Sequence, residues 1–573
     1  MPTPDEFTPT TSVALSGFNA VDALLFNSKW SVNSLTFSFP NIYSYWSEDT
    51  LTGYGPSAGI NEPWSTRVSP LAPSDQTATR LALKNWSSVA NISFTEVTES
   101  ATNVGVLRFY YTSNTDSGLT GQAWAYNPTN AAFAGDVWFA VEGGTSSSFY
   151  NEWSLGSYFF ETVVHEIGHA LGLKHPFDPS PSNTQTLQPY LDSRSFTVMS
   201  YSAKPGDQTT HFSYEPTTPM VLDIQSIQYL YGPNTSYQSG NTTWSFSGSR
   251  TYHQTIWDAG GKDTIVYTAT TGGIIDLRAG IDYGSGLGAP VYVQNSSGAN
   301  LYEVKNIWIA YGVTIENAAG GSGADLLQGN EVANILKGSA GNDTLIGSGG
   351  NDFLSGGVGF DSLDGGIGVD TVDFSDKTGV VSLALNGGIA VTVTVAGIAE
   401  DSIKSIENII GGSAADTLSG DGLANSLVGN AGKDTLKGLG GGDVLAGGLG
   451  SDVLTGGAGN DRFVFNRALG ITNIDKITDF TVGADKIVLD DDIFTALGIT
   501  GTTAGIALSN LAVFQLGSAA NDASDRIIYE QSSGKLYYDA DGSGSGSGAQ
   551  VQIAVLGASS HPSLAATDFL IVA

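Results

Sequence analysis

Three of the six histidines in this chain fall within the eleven residues His165–His175, HEIGHALGLKH. On a helix, His165 and His169 stand one turn apart on one face, so both imidazoles can reach a single metal ion. Glu166 lies beside the first histidine. It can aim its carboxylate at a metal-bound water as a catalytic base without being a ligand. Gly172 can take a backbone conformation closed to other residues, ending the helix and turning the chain back. That turn delivers His175 as a third nitrogen ligand and leaves a fourth position open to water, the donor set of a catalytic zinc ion. A bare HExxH recurs in unrelated helices as two surface histidines beside a solvated glutamate. The glycine and third histidine at these offsets make the zinc reading the stronger one. His211, His253 and His561 have no metal-like spacing and read as polar surface or local hydrogen bonds.

The elements that must hold these residues form a mixed α/β catalytic domain over 17–234. Residues 157–171 are expected to be the helix that carries the histidines. A second helix, capped by Ser74, would bury Leu81 and Trp86 with Ala78 and Ala82. Leu35–Phe39, Gly105–Tyr111 and Asp136–Val141 read as strands, with GQAWAYNP at 121–128 between the last two. Residues 1–16, rich in Pro and Thr, read as a disordered tail or short pro-segment.

Beyond residue 234 the composition turns to Gly, Ser, Thr and short β-prone runs, and 235–319 reads as a β-rich transition. A nine-residue period follows. Its polar position recurs at Asp325, Asn334, Asp343, Asp352, Asp361 and Asp370 over 320–372. It returns at Asp416, Asn425, Asp434, Asp443, Asp452 and Asp461 over 412–465. Two residues after each stands an apolar side chain, from Leu327 to Val372 and from Leu418 to Phe463. A flexible Gly-rich linker needs no such register. Glycines in GGxGxD permit a tight turn whose carbonyls and Asp side chain face a hard cation, and the next three residues form a short strand with one inward side chain. Two such units make one coil of an all-β, calcium-binding parallel β-roll. All twelve polar positions are candidate ligands for several structural calcium ions. One leucine per nine residues buries too little to offset the repulsion of stacked aspartates, so folding of this half should be coupled to calcium. Residues 373–411 read as an intervening β segment. Residues 466–573 read as a C-terminal β cap, with a strand pair over 477–491 around Asp485 and a hairpin over 525–546. In that hairpin, Asp539 and Asp541 read better as turn residues than as ligands.

Acidic residues outnumber basic ones 56 to 23, a net charge of −33, which argues against nucleic acid or an anionic membrane as partner and for bound cations. The absence of cysteine fits an exported protein stapled by something other than disulfides. The N-terminus lacks the basic start and apolar run of a Sec signal peptide, and no apolar stretch is long enough to insert in a membrane.

The pattern HExxHxxGxxH followed by Pro176 resembles that of the serralysin family, calcium-dependent secreted zinc endopeptidases of the metzincin clan. The resemblance extends to TVMSYS at 197–202 and to VDALLFNSKW, WDAGGKDTI and VTIENAAGGSGAD. It implies that Met199 lies beneath the zinc in a Met-turn. It also implies that Tyr201 is a further zinc ligand at rest, swinging away on substrate binding to stabilise the oxyanion. It implies export through a type I exporter that reads a C-terminal region, for which Asp568 and Phe569 match the family ending, and it leaves room for a proteinaceous inhibitor as partner. The second repeat array and residues 466–573 exceed the shortest plan of the family. The expected protein is a secreted, monomeric endopeptidase with one catalytic zinc, acting on extended protein or peptide substrates laid along an edge strand at 122–126. Two other classes stand against this: a calcium-dependent adhesion or matrix protein with a silent metzincin domain, and a lipase on the same roll. An adhesin has no need of Glu166, and no GxSxG elbow accompanies the repeats.

Overall fold

The computed structural model describes residues 6–41, 44–47, 49, 54, 68–112, 123–140, 153–508, 511–542, 550–557 and 560–573. The chain divides into two compact units, 1–269 with 273–315, and 270–272 with 316–573. The first is mixed α/β and the second is built from large β-sheets of the kind expected for a calcium-binding β-roll.

In the first unit, β1 (Thr10–Ser12) pairs antiparallel with β2 (Ser28–Trp30), and a short helix α1 (Asn19–Asp22) lies between them. The expectation of an unstructured tail over 1–16 is therefore corrected at its C-terminal part. Three β-compatible side chains there find an unpaired strand edge and use it. Strands β3 (Ser34–Ser38), β4 (Val68–Pro70), β5 (Ser93–Glu96), β6 (Leu107–Thr112), β7 (Ala123–Ala125) and β8 (Val137–Ala140) form one sheet, ordered β5-β3-β6-β8-β7 with β4 against β6. Its neighbours from β5 to β8 run parallel, whereas β7 is antiparallel to β8 and ends the sheet. Residue 122, at the start of the expected edge segment, lies outside the described residues.

Helix α2 (Pro73–Val89) begins one residue before Ser74. Pro73 occupies the first helical position, where its missing N–H costs nothing, and Ser74 bonds instead to Asp75 Oδ1 at 3.0 Å. Ala78, Ala82, Leu83, Trp86 and Val89 make the buried stripe, but Leu81 is 37% exposed. It lies about 100° round the helix from Ala82, and Leu83 takes the core position on the other flank. Helix α3 (Tyr158–Leu171) packs on α2, and α4 (Val221–Tyr231) follows later in the chain. Residues 235–269 and 273–315 also belong to this unit. Their strands Thr243–Ser247 and Thr264–Thr268 pair in parallel, and Val291–Gln294 pairs with both Asn300–Val304 and His211–Phe212.

In the second unit, successive repeats alternate between two sheets, and away from the insertions a strand lies parallel to the one eighteen residues on, as Leu336 with Leu354 and Leu427 with Leu445. The inward apolar side chains, Leu327 to Val372 and Leu418 to Phe463, are all 0–1% exposed. The two arrays are one continuous stack. Val381–Ala384, Val391–Val395 and Ile398–Lys404 form an antiparallel insertion within one sheet, and its outer strands continue the parallel ladder on both sides. On the other sheet Asn408–Ile410 bridges Thr371–Asp373 to Ser426–Val428 directly. The strand pair expected over 477–491 is corrected: Asp475–Ile477 and Lys486–Asp490 join different sheets, because they carry on the alternation of the roll. The expected hairpin is Ile527–Glu530 against Lys535–Tyr538, and Phe569–Val572 adds a parallel strand to Lys486–Asp490.

Candidate metal centre

Helix α3 starts at Ser157, whose hydroxyl accepts the N–H of Phe160 at 3.2 Å, and is clamped along its length. Trp86 Nε1 donates to Val164 O at 3.0 Å and Trp30 Nε1 to Ala170 O at 2.9 Å. It ends where Gly172 adopts φ +111°; the N–H of Leu173 returns to Gly168 O at 2.9 Å, closing the helix. A side chain at 172 would also meet Ser28 O at 2.4 Å, so the position requires glycine twice over. The returning chain is held by Lys174. Its N–H donates to Leu24 O, and its buried ammonium donates to Asp178 O at 2.9 Å and Gln185 O at 2.8 Å. Nothing in the motif pointed to this lysine, yet it fixes the loop on which His175 stands.

Three imidazole Nε2 atoms converge: His175 lies 3.2 Å from His165 and 3.0 Å from His169. His165 Nδ1 donates to Val198 O at 2.7 Å and His169 Nδ1 to Leu173 O at 2.7 Å. Those bonds fix the tautomers, so the Nε2 lone pairs of both rings face the cluster with no proton to share. Burial pushes His165 down to about 3 and His169 down to about 4, so protonation does not relieve the repulsion. Three convergent neutral nitrogens are a donor set for a metal ion, and zinc fits it.

Tyr201 Oη lies 2.8 Å from His175 Nε2, on the solvent side of the cluster, with the residue 45% exposed. Met199 is fully buried, and a side chain at Gly168 would lie 2.6 Å from its sulfur. The small residue between the two helical ligands is thus what admits the methionine beside them. Asp223, at the start of α4, accepts from Thr197 Oγ1 at 2.6 Å and from the N–H of Val198 at 2.7 Å. It thereby holds the carbonyl that receives the His165 proton. Glu166 is buried and accepts the N–H of Ala125 on β7, while its Oε2 has no hydrogen-bond partner. Burial pushes its carboxyl up to about 8. His253, expected as surface or a local bond, is fully buried and bonds to Tyr214 O at 2.9 Å.

The repeat aspartates form hydrogen-bonded ladders. From the third repeat of each array onward, Oδ1 accepts the backbone N–H of the polar residue eighteen positions earlier. Thus Asp343 N–H donates to Asp361 at 2.8 Å, and Asn425 N–H donates to Asp443 at 2.8 Å. The twelve positions are not equivalent. Asp343, Asp352, Asp361, Asp370, Asp434, Asp443, Asp452 and Asp461 each keep a buried Oδ2 without a hydrogen-bond partner. In Asp325, Asn334, Asp416 and Asn425, the first two of each array, a backbone N–H four residues earlier takes a side-chain oxygen at 2.7–2.8 Å. Four further carboxylates extend the ladders outside the nine-residue period: Asp401, Glu407, Asp475 and Asp485, accepting from Asp361, Asp370, Asp452 and Asp461. Asp401 Oδ2 is likewise buried without a partner. Buried acceptor-only oxygens with like-charged neighbours fit a hard cation, and calcium is the one suited to mixed carboxylate and carbonyl donors. Asp539 accepts the N–H of Asp541 at 3.2 Å, and Asp541 keeps a buried Oδ1 without a hydrogen-bond partner.

Residues 67–201 match the matrixin peptidase family, and 319–354, 346–376, 406–436 and 437–466 match the RTX calcium-binding nonapeptide repeat. The chain is 35% identical over 288 residues to a serralysin of Photorhabdus sp. (strain Az29), covering 47% of this chain and 55% of that protein. It is 35% identical over 269 residues to serralysin A of Dickeya chrysanthemi, covering 43% and 51%, and 34% identical over 289 residues to a serralysin of Proteus mirabilis, covering 44% and 53%. The aligned part thus spans about half the length of these relatives.

Proposed function

We propose that this chain, which matches the matrixin peptidase and RTX repeat families and is similar to serralysins over about half their length, is a metzincin of the serralysin family: a secreted zinc endopeptidase stabilised by calcium. The observation that carries the proposal is the convergence of three neutral imidazoles beside a buried glutamate that is not one of their number. His165, His169 and His175 would hold one zinc ion, with Tyr201 a further ligand at rest. Zinc bound there would supply Lewis acidity toward a water molecule and toward the scissile carbonyl.

Glu166 takes the proton from the attacking water and hands it to the leaving amine. Tyr201 stands at the solvent side, where a swing of its ring brings the hydroxyl to the developing oxyanion as a donor. Strand β7 ends its sheet, so an extended substrate can pair with its backbone, which favours unfolded or loop segments over one sequence. Several calcium ions in the roll would stabilise the second unit. Export through a type I exporter into calcium-rich surroundings completes the proposal, with a proteinaceous inhibitor as a candidate partner.

The test is zinc content together with cleavage of a denatured protein, before and after chelation and zinc re-addition. About one zinc per chain and chelator-reversible cleavage are expected. Stoichiometric zinc without cleavage would return the reading to a silent metzincin domain on an adhesion protein.

A further inference from the structure

Along one edge of the roll, Asp325, Asp343 and Asp361 follow at eighteen-residue steps, but the next step, from Asp361 to Asp401, spans forty residues. The insertion that lengthens it contains Lys377, which is only 8% exposed. Its ammonium donates to the carbonyl of Gly357, the second glycine of the GGVGFD turn that ends at Asp361, and to Glu400, the neighbour of Asp401. Its charge draws the carboxyls of both Asp361 and Asp401 down, against the burial that raises them. Both carboxylates nevertheless keep an Oδ2 with no hydrogen-bond partner. The lysine backbone is fixed as well, since its carbonyl accepts the N–H of Ser413 at 3.0 Å where the second array opens. Among the described residues, no other lysine or arginine side chain donates to a carbonyl of a glycine turn in the repeats.

A simple ion pair would account for the bond to Glu400. It would not account for the second bond, to a carbonyl of the turn that ends at Asp361, at a step the period does not span. We infer that Lys377 is a resident cation: beside the turn that ends at Asp361 and the strand that carries Asp401, its ammonium supplies the positive charge that calcium supplies between the other stacked turns. The groups it meets are the same in kind, a turn carbonyl and an acidic oxygen, and a protonated amine satisfies them with two of its N–H bonds and one positive charge. The junction between the arrays then stays formed when calcium is scarce, and each array fills with calcium from a step that is already closed. This inference rests on the reading of the repeats as calcium sites.

The full chain, crystallised in millimolar calcium, is examined by anomalous diffraction, and bound calcium per chain is counted in solution for wild type and Lys377→Ala. Calcium peaks are expected between repeat turns such as those ending at Asp343 and Asp361, and none between Asp361 and Asp401. Lys377→Ala is expected to bind one calcium more than wild type, with the new peak in that interval. A calcium peak there in the wild type overturns the inference, and so does an unchanged count in the folded variant. If the variant fails to fold, the wild-type map alone decides. A roll with no calcium in any repeat would instead defeat the calcium reading itself.

Discussion

Each of His165 and His169 has committed its Nδ1 proton to a backbone carbonyl, and that single fact turns three adjacent rings into a ligand set. The spacing of the motif made the ligands legible, because one helical turn and one glycine turn are local geometry. It did not disclose Lys174 or Asp223, whose roles depend on where Leu24, Gln185 and Val198 come to lie in the fold. Tyr201 is the residue whose proposed role is most exposed to test. Tyr201→Phe removes the hydroxyl 2.8 Å from His175 and keeps the ring, so zinc content and melting temperature should hold. If that hydroxyl stabilises the oxyanion, kcat should fall by roughly 10²–10³-fold with KM little changed. Steady-state kinetics on a peptide substrate would show it, and an unchanged kcat would reduce Tyr201 to a neighbour of the metal.

At the scale of elements, the helix and its exit turn decide whether the third histidine arrives. Gly172→Ala must hold a side chain at φ +111° and push it within 2.4 Å of Ser28 O. A loss of roughly 1–3 kcal/mol is expected from the backbone conformation alone, with weakened zinc retention measured by dialysis against a chelator. Wild-type stability and zinc retention would mean that the turn adapts. The strands of the roll were legible through their period, whereas Asp401, Glu407, Asp475 and Asp485 were not. They occupy the same rungs but sit after insertions that break the count, and only the pairing of strands restores their register. Leu81 and Ser74 were misplaced for a similar reason: periodicity gives a face, but the packing partners and Pro73 decide its edges.

The ladder carboxyls set a pH dependence. Burial, reinforced by neighbouring aspartates, holds Asp343 and Asp443 up at about 6 and Asp434 at about 7 without calcium. Folded carboxyls that keep protons which the unfolded chain releases make the calcium-free roll most stable near pH 4. That stability is lost as pH rises through 4 to 7, above which it levels off. Calcium requires the charged form, so its affinity should rise over the same window, on the order of tenfold for each such carboxyl between pH 5 and 8. Calcium titrations followed by circular dichroism at the two pH values would measure this; equal affinities would show that these aspartates are not the ligands.

For the whole molecule, a net charge of −33 and a roll with one inward apolar side chain per repeat leave cations to make the second unit worth folding. Chelation of the full chain should therefore remove much of the β signal while adding millimolar calcium restores it cooperatively, with magnesium a poor substitute. Full β signal in excess chelator, unchanged by calcium, would contradict that coupling. The central claim, however, is catalytic, and it is tested most directly by comparing wild type with Glu166→Gln on matched preparations, measuring zinc content and the rate of cleavage of an unfolded protein. Glu166 stands beside the ligands and is not one of them, so zinc should be retained at the wild-type level. Cleavage should fall by at least the roughly 10²–10⁴-fold that a general acid–base group contributes. A variant that holds its zinc and keeps more than about a tenth of the wild-type rate would contradict the account, since that exceeds what loss of such a base allows.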